Sequence, residues 1–118
     1  MASPLCHFEF QTDDPEKCQQ FYGSVLDWEF DSQSMPGYTL INTGSEPGGG
    51  LMKTPAEAPG PCLSVYFLVD DIGATISKAQ QAGGKVLVPE TPIPNVGAFA
   101  VLSDPEGLGF GIFKHQQG

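Results

Sequence analysis

The sequence predicts an α+β fold: two tandem βαβββ modules forming a curved, barrel-like mixed sheet around a cleft, with helices on the outer face. Three observations predict it. The first is an internal repeat. Thr12-Asp13-Asp14 returns as Val69-Asp70-Asp71, 57 residues on, and Gly50-Leu51-Met52-Lys53 returns as Gly111-Ile112-Phe113-Lys114, 61 residues on. The second is that each half reads as strand, helix, then three strands. The third is size: 118 residues, 40% of them hydrophobic, suit one domain or two very small modules sharing a core. The expected organisation is a single domain over 1–118, with modules at about 4–53 and 62–115 joined by a Pro/Ala-rich linker over 54–61.

Along the chain, Leu5-Cys6-His7-Phe8-Glu9-Phe10-Gln11 alternates as a strand with Phe8 and Phe10 on one face. Asp13-Asp14-Pro15-Glu16 opens a helix, because acidic side chains meet the free amides and proline suits the first turn. Cys18, Phe21, Tyr22, Val25 and Leu26 form its apolar stripe, with Phe21, Tyr22, Val25 and Leu26 expected as core between helix and sheet. Trp28-Glu29-Phe30 begins a second strand, Tyr38 to Asn42 a third and Gly50 to Lys53 a fourth. Met35-Pro36-Gly37 and Gly44 to Gly49 are the turns between them.

In the second half Leu63 to Val69 is a strand, and Asp70-Asp71 cap a helix with Ile72, Ile76 and Ala79 on one face. Gly83-Gly84 end it through a left-handed residue. Lys85 to Val88 is a strand, and Pro89 to Asn95, with three prolines, reads as a loop. Gly97 to Leu102 and Gly109 to Lys114 are the last strands, joined by the turn Asp104-Pro105-Glu106-Gly107. One helix covers one sheet face, which takes Phe8 and Phe10 in the first half and Val65, Phe67 and Val69 in the second. Strand alternation then turns His7, Glu9 and Gln11 toward the cleft, with Ser64, Tyr66 and Leu68 as their counterparts. Chemistry is expected on that polar row.

Composition removes several classes of function. Asp and Glu number 14 against 5 Lys and Arg, giving a formal net charge of -9. All the basic residues are scattered lysines (Lys17, Lys53, Lys78, Lys85, Lys114), so there is no bidentate fork for phosphate and the acidic field repels polyanions. Nucleic acid is therefore not an expected partner. No apolar run is long enough for a membrane span, and no basic, then apolar leader is visible at the start. Cys6, Cys18 and Cys62 are odd in number and lack CxxC spacing, which points to reduced, mostly buried thiols in a cytoplasmic protein. Gly48-Gly49-Gly50 is not a phosphate cradle, since neither a helix nor a Lys-Ser/Thr pair follows it. Close backbone approach at a strand start is the expected role.

The strand His7-Phe8-Glu9-Phe10, the helix start Asp13-Asp14-Pro15-Glu16, the runs Phe21-Tyr22-Gly23 and Leu26-Asp27-Trp28, and the ending Asp104-Pro105-Glu106-Gly107 resemble the vicinal oxygen chelate superfamily. That group includes glyoxalase I, bleomycin-resistance proteins and extradiol dioxygenases. Gly48-Gly49-Gly50-Leu51-Met52 and Pro92-Ile93-Pro94 are most similar to its subgroup of predicted enzymes related to lactoylglutathione lyase. The resemblance runs from about Pro4 to Lys114 and implies paired βαβββ modules and a homodimer. It also implies metal-ligand positions at the first and fourth strand of each module. Here those positions carry His7, Ser64, Gly50 and Gly111. Serine is a poor ligand and glycine none, so a full metal set is not assembled. No cofactor is expected, and a divalent metal is disfavoured.

The candidate catalytic residues are His7 and Glu9, an imidazole and a carboxylate close enough for acid–base work. Each also has a structural reading, His7 as a hydrogen-bonded remnant of a ligand position and Glu9 as a carboxylate reaching solvent. Candidate ligand contacts are Tyr66, Ser64, Gln11, Tyr38, Met52 and Phe99. For Tyr66, Tyr38, Met52 and Phe99 plain packing is the alternative, as it is for Trp28. The expected function is binding of a small organic molecule in the inter-module cleft, with lyase- or isomerase-like proton transfer if the protein is an enzyme. The alternative is a non-catalytic protein that sequesters a drug or metabolite. A cleft holding Glu9, with no arginine in the chain, tilts the ligand toward neutral or cationic.

Overall fold

The computed structural model describes residues 2–56 and 61–116. The elements run β1 (Leu5–Thr12), α1 (Pro15–Leu26), β2 (Glu29–Met35), β3 (Tyr38–Asn42), β4 (Gly49–Lys53), β5 (Cys62–Leu68), α2 (Ile72–Gln81), β6 (Lys85–Ile93), β7 (Gly97–Ser103) and β8 (Gly109–His115). Strand, helix and three strands therefore occur twice, in the α+β order the sequence predicts. Residues 57–60, half of the expected linker, lie outside the described residues. The chain packs as two compact units. One is His7–Ser64; the other is Met1–Cys6 with Val65–Gly118, of which 2–6 and 65–116 are described.

In the unit His7–Ser64 the strand order is β2-β3-β4-β1. β1 and β4 are parallel, with Phe8 beside Gly49, Glu9 beside Gly50 and Gln11 beside Met52. β3 runs antiparallel to both β2 and β4. The Asp14 side chain caps α1 by accepting from the Lys17 amide at 3.1 Å, with Pro15 at the first helical position. Such a cap is worth about 1 kcal/mol. Phe10 meets Tyr22 edge-to-face at 5.0 Å, Tyr22 stacks on Trp28 at 5.4 Å, and Phe8 lies 5.6 Å from Trp28. These four rings fill the helix side of the sheet, so Trp28 packs as an aromatic anchor just before β2 begins. Gly49 lacks a side chain because a Cβ there would overlap the Phe8 ring.

The apolar stripe of α1 is a correction to the sequence reading. Phe21, Val25 and Leu26 are 57%, 58% and 47% exposed, and no residue of the helix is fully buried. The half-buried positions are Pro15, Cys18, Gln19, Tyr22 and Gly23. The helix is thus rolled so that Gly23 lies near the Phe30 ring and the Trp28 carbonyl, at distances where a Cβ would make ordinary contact. Phe21 and Val25 project from the other side of the stripe, and Leu26 is the last residue of the helix.

In the second unit the order is β5-β8-β7-β6, with β5 and β8 parallel and the other pairs antiparallel. Its core is Val69, Ile72, Ala100, Leu102 and Ile112, against which Ile76, Ala79, Val86, Ala98 and Phe110 pack. Asp71 caps α2 through the Ala74 amide at 3.0 Å, and Gly83 (φ +94°) ends it in the left-handed region, as expected. The Asp104 carboxylate accepts from the Glu106 and Leu108 amides, both at 2.9 Å, which makes 104–107 the expected turn.

Two further expectations are corrected. Pro89 to Asn95 is not a loop throughout, since β6 continues to Ile93 and pairs Thr91, Pro92 and Ile93 with Phe99, Ala98 and Gly97. β6 is an edge strand whose register breaks between Val86 and Val88 and again between Val88 and Thr91, and edges and bulges are where a strand tolerates proline. The cysteines are free, but none is fully buried: Cys6 and Cys18 are half-buried and Cys62 is exposed at the start of β5. Among the described residues no helix is long and apolar enough to cross a membrane.

Candidate acid–base site

Alternation along β1 sets His7, Glu9 and Gln11 on the face opposite Phe8 and Phe10. Glu9 is 8% exposed, so the reading of a carboxylate reaching solvent is corrected. Burying a carboxylate is costly unless its oxygens are hydrogen-bonded. Here the Tyr38 hydroxyl donates to Oε1 at 3.0 Å and the Gln11 side-chain amide donates to Oε2 at 3.1 Å. Both donors are neutral.

Tyr38 also faces His7, with the hydroxyl oxygen 2.8 Å from Nε2. A hydroxyl has one proton. With that proton directed at Glu9, His7 Nε2–H must be the donor to the tyrosine oxygen. The direction is therefore His7 to Tyr38 to Glu9. On the other side the Cys62 thiol lies 3.5 Å from Gln11 Oε1, and Gln11 Nε2 lies 3.9 Å from the Met52 sulfur. This orients the Gln11 amide so that its NH2 group meets Glu9.

Burial holds the His7 imidazole below its ordinary value of 6.5, and the Glu9 charge opposes part of that shift. The folded state thus prefers neutral His7. When the folded value lies below the unfolded one, the stabilising contribution is present above pH 6.5 and is lost as pH falls through the folded value. Thermal unfolding followed from pH 8 to pH 5 is expected to show a falling Tm below about pH 6.5. His7→Asn should flatten that fall, and an unchanged profile would count against a neutral, buried His7.

Of the sequence candidates, His7, Glu9, Gln11, Tyr38 and Met52 come together in this unit. Ser64 is half-buried in the same unit but, among the described residues, makes no hydrogen bond to the row. Tyr66 and Phe99 belong to the other unit, where their rings meet edge-to-face at 6.3 Å. Sequence reasoning missed two participants, Cys62 and Gly50. Cys62 is 51 residues from Gln11, and no local pattern announces that contact. Gly50 enters the sequence reading for close backbone approach and as a ligand position without a side chain, not as a partner of Tyr38; a Cβ there would overlap the Tyr38 hydroxyl. Two surface concavities of about 380 Å³ lie elsewhere. One is lined by Ile41, Asn42, Ser45 and Glu46, the other by Lys85, Ser103, Asp104 and Glu106, and neither includes a residue of the row.

The donor set does not fit the metal that the resemblance associates with these positions. Gly50 and Gly111 carry no side chain, and their space is filled by the Tyr38 hydroxyl and the Tyr66 ring respectively. Among the described residues no three His, Cys, Asp or Glu side chains are grouped to hold an ion.

The family model described as Glyoxalase/Bleomycin resistance protein/Dioxygenase superfamily matches residues 5–112. The chain belongs to that superfamily. A Mycobacterium bovis protein named "Putative glyoxylase CFP32" is 38% identical over 109 residues, covering 90% of this chain and 42% of the relative. The anthracycline biosynthesis protein DnrV of Streptomyces peucetius is 26% identical over 124 residues, covering 91% of this chain and 45% of the relative. The chain thus spans less than half the length of these two relatives. The crystal structure of methylmalonyl-CoA epimerase from Mycobacterium tuberculosis superposes with a TM-score of 0.75 over 97% of this chain and 89% of that one, at 15% identity. That likeness concerns the fold.

Proposed function

We propose that this superfamily member binds a small organic ligand at the His7–Tyr38–Glu9 row and carries out lyase- or isomerase-like proton transfer on a carbonyl compound. The observation that carries the reading is the buried Glu9 carboxylate, which accepts from the neutral Tyr38 hydroxyl and Gln11 amide and is joined through that hydroxyl to the His7 imidazole. A carboxylate and an imidazole in one hydrogen-bonded unit supply a base and an acid without an added electrophile. Glu9 is the base, abstracting a proton beside the carbonyl, and His7 Nε2–H is the hydrogen-bond donor that holds the negative charge developing on the carbonyl oxygen. The negative charge of Glu9, in a chain without arginine, favours neutral or cationic ligands over anionic ones.

The second reading, sequestration without turnover, draws support from the same bare positions at Gly50 and Gly111, where no side chain is available to hold the electrophile. A thermal-shift screen of neutral, cationic and anionic carbonyl and aromatic compounds tests both readings. Hits among neutral or cationic compounds that disappear in Glu9→Gln support the site, and turnover of a hit separates enzyme from binder. Hits confined to anions would overturn the proposal. A cytoplasmic homodimer completes it. The exposed Phe21, Val25 and Leu26 on α1 offer apolar area for a second copy, and gel filtration should give twice 12.5 kDa. A monomer would overturn the dimer.

A further inference from the structure

We infer that Tyr38 is the positioning residue of this site, fixing His7 as an Nε2–H donor and setting its proton in line with Glu9, and that Gly50 is glycine to admit it. The inference deepens the acid–base reading above and rests on it for its mechanistic meaning. Three observations carry it.

The first is the geometry of the hydroxyl, which lies 2.8 Å from His7 Nε2 and 3.0 Å from Glu9 Oε1. The second is its route. Tyr38 begins β3, where Leu40 pairs with Gly50, and β1 pairs Glu9 with the same glycine. Gly50 therefore stands between the strand that carries the tyrosine and the strand that carries the carboxylate. The third is exclusion, because any side chain at position 50 would occupy the place of the hydroxyl. Tyr38 and Gly50 are one device made of two residues. The rings of His7 and Tyr38 lie nearly parallel, 21° apart with centroids 6.4 Å apart, so the imidazole presents Nε2 to the hydroxyl edge-on.

The arrangement has a definite use in proton transfer. Glu9 takes a proton from the carbon beside the carbonyl, the C–H electron pair moves onto the carbonyl oxygen, and neutral His7 holds that oxyanion with its Nε2–H without losing the proton. Glu9 Oε1–H then returns the proton to carbon, and the site ends as it began. In Tyr38→Phe the ring remains, but the β3 hydroxyl that holds the imidazole proton on Nε2 is gone.

The test needs no ligand. Long-range 1H–15N spectra of the histidine side chains, recorded on the ligand-free protein, report which ring nitrogen of His7 carries the proton, and His7→Asn assigns the signal. The expected result in the wild type is neutral His7 with Nε2–H dominant. In Tyr38→Phe the excess of Nε2–H over Nδ1–H should fall about fivefold, the size of one net hydrogen bond of about 1 kcal/mol. Gly50→Ala should reproduce the Tyr38→Phe spectrum, because its methyl group displaces the hydroxyl, and the double variant should add nothing further. Dominant Nδ1–H in the wild type, or a tautomer unchanged in Tyr38→Phe, would overturn the inference. If Gly50→Ala does not fold, Tyr38→Phe alone still decides. A ligand screen without hits would sink the binding proposal and leave this readout intact.

Discussion

Leu102→Ala is expected to lower the unfolding free energy by about 2–5 kcal/mol, toward the upper end of that range. Leu102 is fully buried on β7, between Val86 of β6 and Phe110 of β8, in the cluster with Ile72, Ala100 and Ile112. Strands fixed on both sides by ladder hydrogen bonds cannot close around the missing atoms, so a cavity adds to the lost burial. Total stability for a chain of this size is only about 5–15 kcal/mol, so the variant will lie close to the limit of folding. Urea unfolding checks it: the midpoint should fall with little change in slope. Leu108→Ala serves as the contrast, because Leu108 is 71% exposed and its loss should change stability by less than about 0.5 kcal/mol. Equal effects from the two variants would contradict the assigned core.

Glu9→Gln is expected to weaken binding of a cationic ligand by roughly 10–100-fold, the range that follows from losing one charge-assisted hydrogen bond. The substitution preserves shape and removes charge. It also replaces one acceptor with an amide NH2, which then faces a donor, since both Glu9 oxygens are acceptors in the native row. Binding of a neutral ligand should fall less than that of a cation, and binding of an anion should not fall at all. Calorimetric titration of matched cationic and neutral compounds checks the difference. Equal losses for both would mean that the carboxylate acts through packing rather than charge.

Much of this was legible in the sequence, for physical reasons that differ by residue. The caps Asp14 and Asp71 and the turn at Asp104 announce themselves because capping and turn chemistry is local. The face shared by His7, Glu9 and Gln11 follows from strand parity alone. The exposure of Phe21 and Val25 was not legible, because a stripe of this width leaves the roll of a helix undetermined until the packing of Tyr22 on Phe10 and Trp28 fixes it. The prolines of β6 misled because their local effect is to break structure, and only the position of the strand at a sheet edge removes that penalty. The pairing of Tyr38 with Gly50 depends on strand register, and register is set by cross-strand packing that a single sequence does not print. Cys62 joins the row through the same non-local geometry.

The central question for this site is whether the row works as an acid–base pair without a resident metal. Titration of the purified protein with nickel, zinc and manganese, beside the strongest organic hit, measures that most directly when repeated after treatment with a chelator. The expected result is organic binding that survives chelation and is lost in Glu9→Gln, with no stoichiometric metal uptake. Tight, one-to-one uptake of any of the three metals, abolished by His7→Ala, would contradict it.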